Sequence, residues 1–358
     1  MTVQAHHIEG ASIRSLINNS YGGIMIKAYA AQEAGQELTP YEYDPGPLGA
    51  DEVEIDVQSC GLCHSDLSML DNEWGFTQYP FVPGHEVIGK VAATGTNVSH
   101  LQPGQTVGLG WHSAYCNECS TCNNGDQNLC ASAQPTIAGR HGGFADKVRA
   151  QAKAVVALPE GVNPETAGPL FCGGITVFNP LVQFDIPSTA KVGVIGIGGL
   201  GHMAVKFLNA WGCEVTAFTS SENKKAEALE MGAHKTLNSK SADALEEAAG
   251  YFDLILSTVN VKLDWNAYLN TLGPKGRLHF VGATLEPIEL GVFGLIAAQR
   301  SVSGSPVGSP ATIEKMLEFA ARHKIEPTTQ TYPMSQINDA VQALRDGKAH
   351  YRIVLTKD

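Results

Sequence analysis

The stretch KVGVIGIGGLGHMAVKFLNAWGCEVTAF (residues 191–218) changes its apolar pattern twice. An unbroken apolar run gives way to glycines. Apolar positions spaced three and four apart follow, Gly212 stops them, and a second short apolar run begins. This reads as strand, turn, helix, strand. NKKAEALEMGA and DWNAYLNTLG continue as helices, and FDLILSTV and RLHFVGA as buried strands. Strands alternating with helices at this spacing predict a parallel, doubly wound sheet. Residues 25–170 have another texture. DEVEIDVQSCG, EVIGKVAATG, QTVGLGW and GGFADKVRA are short β-type runs between Gly- and Pro-rich turns, so a β-rich body with loops is expected there. IEKMLEFAARHK and INDAVQALRDGK are amphipathic helices, and YRIVLT is a last strand. The expected class is α/β, with a β-rich domain over 25–173 and 312–358 and a doubly wound domain over 174–311. Residues 1–24 are polar and patternless up to the strand-like MIKAYA. They are expected to be an upstream extension, with Met25 as the original start.

Composition narrows the function. The chain has 358 residues, 43% hydrophobic and 17% charged, which suits a soluble protein of two domains. A net charge of −12 argues against nucleic acid or an anionic membrane as partner. No basic segment precedes an apolar core at the N-terminus and no long apolar run occurs, so neither a secretory signal nor a membrane span is expected. A cytoplasmic setting follows, in which the eight cysteines (60, 63, 116, 119, 122, 130, 172 and 213) are reduced and free to bind metal.

Gly196, Gly198 and Gly201 form G-x-G-x-x-G between a strand and a helix, where backbone can approach a pyrophosphate at the helix N-terminus. An NAD site places a carboxylate at the end of the next strand. Here that strand ends in Thr219, Ser220 and Ser221, with Lys224 and Lys225 one turn on. Hydroxyls and ammonium groups attract a 2′-phosphate, which favours NADPH.

CNECSTCNNGDQNLC sets Cys116, Cys119, Cys122 and Cys130 at C-x2-C-x2-C-x7-C. The spacing suits an iron–sulfur run too, but four thiolates in one loop of a β-rich body read better as closed structural zinc. CGLCHSDLS (60–68) holds a C-x-x-C that by itself fits a metal half-site, a redox pair or neither. GHEVIG adds His85 and Glu86, and CGGIT adds Cys172. Two thiolates, one imidazole and an open position make a catalytic zinc pattern.

These motifs, in this order and spacing, resemble the zinc-dependent medium-chain alcohol dehydrogenases, and within them the cinnamyl alcohol dehydrogenase branch. YEYDPGPL, DNEWGF, TVNVKLDW and SVSGS are similar to the bacterial NADPH-dependent aldehyde reductases of that branch. The resemblance spans Met25 to Asp358. It implies a GroES-like catalytic domain and a Rossmann domain, NADPH and two zinc ions per chain, a homodimer, and reversible reduction of aldehydes to primary alcohols by hydride transfer to a zinc-polarised carbonyl. The implied catalytic ligands are Cys63, His85 and Cys172, with Glu86 assisting ligand exchange. Asp66 would orient the site, Ser65 would pass the proton, and Cys60 would be a buried neighbour; Cys213, which begins a sheet strand, is expected in the core. Implied cofactor positions are His64, Thr176, Gly199, Leu200, Thr258, Val259, Val281, Gly282, Ser303 and Arg352, beside the glycine and hydroxyl positions above. Trp74 and Trp111 are candidate apolar walls for an aldehyde or alcohol. Two other readings are NAD-linked alcohol oxidation at the same site and a non-catalytic quinone-oxidoreductase-like relative. The full set of zinc ligands argues against the latter.

Overall fold

The computed structural model describes residues 25–284 and 286–358; the expected extension, 1–24, lies outside them. An antiparallel hairpin, β1 (Ile26–Ala30) and β2 (Thr39–Tyr43), comes first. The β-rich part continues with β3 (Glu52–Leu62), α1 (His64–Leu70), β4 (Glu86–Thr94), β5 (Thr106–Leu109), β6 (His112–Ala114), α2 (Ser120–Asn123), β7 (Gln134–Pro135), β8 (Lys147–Gln151) and β9 (Val155–Ala157). α3 (Gly173–Gln183) leads into β10 (Lys191–Ile195), α4 (Gly201–Trp211), β11 (Glu214–Phe218), α5 (Glu222–Glu230) and β12 (Lys235–Leu237). Then come α6 (Ala242–Glu247), β13 (Phe252–Ser257), α7 (Trp265–Thr271), β14 (Leu272–Phe280), α8 (Val292–Ile296) and β15 (Ser301–Gly304). The chain closes with α9 (Pro310–His323), β16 (Thr329–Pro333), α10 (Ile337–Arg345) and β17 (Arg352–Thr356).

β10 to β15 form a parallel sheet in the order β12-β11-β10-β13-β14-β15. The chain starts this sheet at β10, winds outward to one side, then returns to wind out the other way. The crevice beyond the strand ends between β10 and β13 is where such sheets bind ligands. The second large sheet runs β16-β17-β3-β4-β5-β9, with β8 also paired to β3. It is therefore completed by strands that follow the parallel sheet in the chain. Val53, Ile55 and Val57 alternate along β3 into its core. A second core joins Val192 and Val194 of β10, Phe178 of α3, Phe207 of α4 and Met316 and Leu317 of α9. Ile88 of β4 and Val156 of β9 belong to this core too, so the two sheets share one packed interior. No helix among the described residues is long and apolar enough to cross a membrane.

Two local expectations change. The stretch after Cys63, read as part of a β body with loops, is the helix α1. Cys63 is extended (φ −110, ψ 158), and Asp66 Oδ2 accepts from its backbone N–H at 2.9 Å, tying the first turn back to the cap. Seven residues with only Leu67, Met69 and Leu70 as apolar anchors are too few to show a helical period. GGFADKVRA is strand only from Lys147; Gly142, Gly143 and Phe144 instead donate to the carbonyls of Val82, Gly84 and Pro83. That contact braces the segment that carries His85.

Candidate active site

β3 ends at Leu62 and delivers Cys63 to the N-cap of α1. His85 immediately precedes β4, Glu86 opens it, and Cys172 is the N-cap of α3. These four buried residues bring their ligating atoms within 4.8 Å of one another. The Cys63 and Cys172 sulfurs are 3.9 Å apart. Asp66 Oδ1 lies 3.0 Å from His85 Nδ1 and accepts from Gly84 N–H at 2.9 Å. A carboxylate on Nδ1 fixes the ring and leaves Nε2 as the free lone pair. Nε2 is buried and has no hydrogen-bond partner. An orphaned imidazole nitrogen beside two thiols fits a metal ligand set of the zinc type.

The four groups perturb one another strongly. The Cys172 thiol, with help from Arg352 and His85, holds Cys63 well below the usual thiol range despite burial. Cys172 is pushed well above it by its hydrogen bond to Cys63 and by burial. Burial lowers His85, but the Asp66 carboxylate outweighs it and raises the ring well above its ordinary value. Burial pushes Glu86 up to about 7 even though Arg352 opposes it. The Arg352 guanidinium bonds Glu86 and lies 3.9 Å from Cys63 Sγ. Cys60 is fully buried with its sulfur near Gly61 O, outside the cluster, and Cys213 is buried just before β11.

Cys116, Cys119, Cys122 and Cys130 form a second cluster, again within 4.8 Å. Sulfur separations of 3.5 to 3.9 Å are too long for disulfides and suit a shared ion. Cys119 N–H points at Cys116 Sγ at 3.4 Å, a donor placed for a thiolate.

A cleft of 1120 Å³ connects the first cluster to the glycine turn. Cys63, His64, Ser65, Trp74, Trp111, Cys172 and Thr176 line one end. Gly196, Gly198, Gly199, Leu200, Lys224, Thr258, Val259, Val281, Gly282 and Arg352 line the rest. A Cβ on Gly201 would fall 1.8 Å from Gly196 O, so only glycine lets the helix start that close. A Cβ on Gly198 would meet nothing within 4 Å; that open space over backbone is a cradle of the kind a pyrophosphate fills. Trp111 stands edge-on to His85 at 5.0 Å and Trp74 packs on Trp111 at 6.0 Å, so both indoles wall the metal end.

Not every expected cofactor position reaches the cleft. Thr219 is buried and accepts from Ser221 N–H at 3.2 Å; Ser221 caps α5; Ser220 is exposed beside them. Lys224 reaches in and donates to Ile197 O at 3.0 Å. Ser303 does not line the cleft: its hydroxyl meets His279 and Arg277.

Residues 49–160 match the alcohol dehydrogenase GroES-like domain and residues 199–322 the zinc-binding dehydrogenase family. An aldehyde reductase of Synechocystis sp. is 61% identical over 332 residues, 93% of this chain and 99% of its own. The chain belongs to the zinc-type medium-chain alcohol dehydrogenases, in the cinnamyl alcohol dehydrogenase branch. The solved cinnamyl alcohol dehydrogenase of Sorghum bicolor is 37% identical with a TM-score of 0.88, over 93% of this chain and 97% of that one. That of Helicobacter pylori, solved with NADP(H), is 30% identical with a TM-score of 0.84, over 93% and 98%.

In this dehydrogenase the structure adds three residues to those read from sequence. Glu73 lines the cleft and accepts from Ser68 Oγ at 2.7 Å. Ser305 lines it from the end of β15, and His279 stands behind Ser305. Glu73 lies within the DNEWGF stretch, so a carboxylate there was visible. Nothing in RLHFVGA marks its histidine as facing two serines.

Proposed function

We propose that this enzyme interconverts aldehydes and primary alcohols, working mainly as an NADP(H)-dependent aldehyde reductase with two zinc ions per chain. The observation that carries the reading is the orphaned His85 Nε2 beside Cys63 and Cys172, at the end of the cleft that begins on the glycine turn. Zinc held by Cys63, His85 and Cys172 would supply Lewis-acid polarisation of the carbonyl, and the nicotinamide cofactor the hydride. The chain's own residues do the rest. Trp74 and Trp111 exclude water and bind the apolar part of the substrate. Ser65 holds a proton for the substrate oxygen. Lys224 brings positive charge to the phosphate side of the cleft, and Arg352 lines the same cleft beside Cys63. The four-cysteine loop holds the second zinc and does no chemistry. The same reading divides the chain into a catalytic domain at 25–173 and 312–358 and a nucleotide domain at 174–311.

Cofactor choice tests the phosphate side. Thr219→Asp is expected to weaken NADPH use and improve NADH use, because a carboxylate repels a 2′-phosphate. The loss should be about ten- to a hundredfold in kcat/KM with NADPH, the scale of one charge-assisted contact. A wild type that already prefers NADH would sink the argument.

A homodimer is part of the same reading. β15 is an edge strand of the parallel sheet, and just before it α8 exposes Val292, Phe293 and Ile296 at 64, 81 and 70%. An open strand edge beside an apolar patch supports pairing of two copies. Phe293→Glu should then raise the monomer fraction in sedimentation at micromolar concentration; wild type that sediments as a monomer refutes the dimer.

A further inference from the structure

His202 follows the last glycine of G-x-G-x-x-G and is the second residue of α4. It is fully buried and takes no part in the chemistry above. Both ring nitrogens are engaged. Nδ1 lies 3.1 Å from Gly198 O, and Nε2 lies 3.0 Å from the backbone N of Thr328, just before β16. The Tyr351 ring covers it at 4.8 Å. One turn along α4, Lys206 Nζ donates to Glu326 O at 2.8 Å and to Thr328 Oγ1 at 3.1 Å. Two side chains of α4 therefore hold the same segment of the neighbouring domain.

These partners fix the ring's proton. A backbone N–H only donates, and a carbonyl oxygen only accepts. Nε2 is therefore the lone pair that accepts from Thr328, and Nδ1 carries the hydrogen that Gly198 O accepts. A second ring proton would set one N–H against another at Thr328. Burial, with Lys206 adding to it, holds the ring down at about 3, so it stays neutral.

The bond to Gly198 O decides where the next N–H points. In a trans peptide the C=O and the N–H lie on opposite sides. Gly198 O is drawn back over the first turn of α4 by two donors of one residue, the His202 backbone N–H at 3.1 Å and Nδ1–H at 3.1 Å. The N–H of that peptide belongs to Gly199. It faces the other way, into the cleft that both glycines line. Gly198 O takes the first bond of the helix, so the N–H groups of Gly199, Leu200 and Gly201 have no helical partner. With glycine on both sides, this peptide rotates easily. A flip would present its oxygen, and not its N–H, to an anion in the cleft. One backbone bond at a helix end frays; a second bond from a buried ring resists the flip. Donation into the C=O also polarises the peptide and makes its N–H a stronger donor.

We propose that His202 is a positioning residue whose Nδ1–H locks the Gly198–Gly199 peptide with its N–H toward the cofactor pyrophosphate, in the one tautomer that Thr328 N–H allows. The lock continues toward the metal end. Thr328 O accepts from Arg352 N–H at 3.2 Å, so the turn is tied to the strand whose guanidinium meets Glu86. The inference rests on the nicotinamide-cofactor reading above.

Two amides separate the two ring bonds. Asparagine puts a nitrogen where histidine has Nδ1, and glutamine puts an oxygen where it has Nε2. His202→Asn keeps the donor to Gly198 and loses the acceptor for Thr328; His202→Gln does the reverse. The experiment measures binding of NADPH, of 2′-phospho-ADP-ribose and of 2′-AMP, which lacks the pyrophosphate. NADH, ADP-ribose and AMP run in parallel, since the lock acts on the pyrophosphate and not on a 2′-phosphate. His202→Gln is expected to weaken NADPH and 2′-phospho-ADP-ribose alike, about five- to tenfold, the scale of one neutral hydrogen bond, and to leave 2′-AMP unchanged. His202→Asn should keep all three within about twofold of wild type. Each variant loses one buried hydrogen bond, so both should melt lower; a binding split between them is not explained by stability. If His202→Gln does not fold, His202→Leu also removes the donor and carries the same expectation. Unchanged NADPH affinity without the donor overturns the proposal. So does equal weakening of 2′-AMP, which would mean a loosened domain, or His202→Asn binding as weakly as His202→Gln. A wild type that binds neither NADPH nor NADH overturns the cofactor reading itself, and is seen before any substitution is made.

Discussion

Cys172→Ala should abolish aldehyde reduction, by roughly a hundredfold or more, while the protein stays folded. The cluster needs three strong donors, and an Nε2 lone pair with one thiolate is too few to hold a zinc ion tightly. Cys172 sits at the N-cap of α3, against a core that does not depend on its sulfur. Melting should therefore shift by only a few degrees. Cys119→Ala is expected to behave the other way. Its loop runs from Cys116 to Cys130 with one four-residue helix and one 3₁₀ turn, so the shared ion is what holds it together. Stability and solubility should fall first, and activity should follow the folded fraction. Metal analysis should give about two zinc ions per wild-type chain and about one in Cys172→Ala. A wild-type value near one means that one of the clusters does not bind zinc.

Much of this site was legible because its residues sit in short, contiguous motifs. C-x2-C-x2-C-x7-C is read within one loop, and GIGGLG within one turn, because the spacing alone sets the geometry. Cys63, His85 and Cys172 come from three separate segments, and only a known arrangement of those segments joins them. The structure then supplies what spacing does not contain: Asp66 capping α1 while holding His85 Nδ1, and Arg352 arriving from the last strand onto Glu86. α1 itself was hidden because a seven-residue helix capped by polar side chains has no visible period. The same limit explains Ser303. Sequence shows that SVSGS ends a strand, but not which serine faces the cleft. On a strand that alternates, Ser303 and Ser305 share a face, and His279 takes up the space in front of the first.

Ser65→Ala should cut turnover by roughly 10²–10⁴-fold, the scale of a lost general acid–base. Ser65 Oγ lies 3.9 Å from Cys63 Sγ at the mouth of the metal cluster and lines the cleft, so it is placed to give a proton to the substrate oxygen. The proton must then be replaced. A histidine at position 68 would store one near neutral pH; the serine there cannot. Ser68 is also occupied: it is 4% exposed, and its hydrogen goes to Glu73 Oε2 at 2.7 Å. A hydroxyl committed to a carboxylate presents only lone pairs to the cleft, so at most it accepts from a water. We therefore expect Ser65 to pass its proton on without Ser68; a bound nicotinamide cofactor would supply a ribose hydroxyl that could link Ser65 to solvent. Ser68→Ala should then cost less than about tenfold, far below the general acid–base range. A solvent isotope effect altered by Ser68→Ala would mark Ser68 as orienting that water. Turnover as low in Ser68→Ala as in Ser65→Ala would reverse the picture. The hydroxyl would then be the link to Glu73, and that carboxylate, exposed at the rim, would exchange the proton with bulk water in place of the missing imidazole.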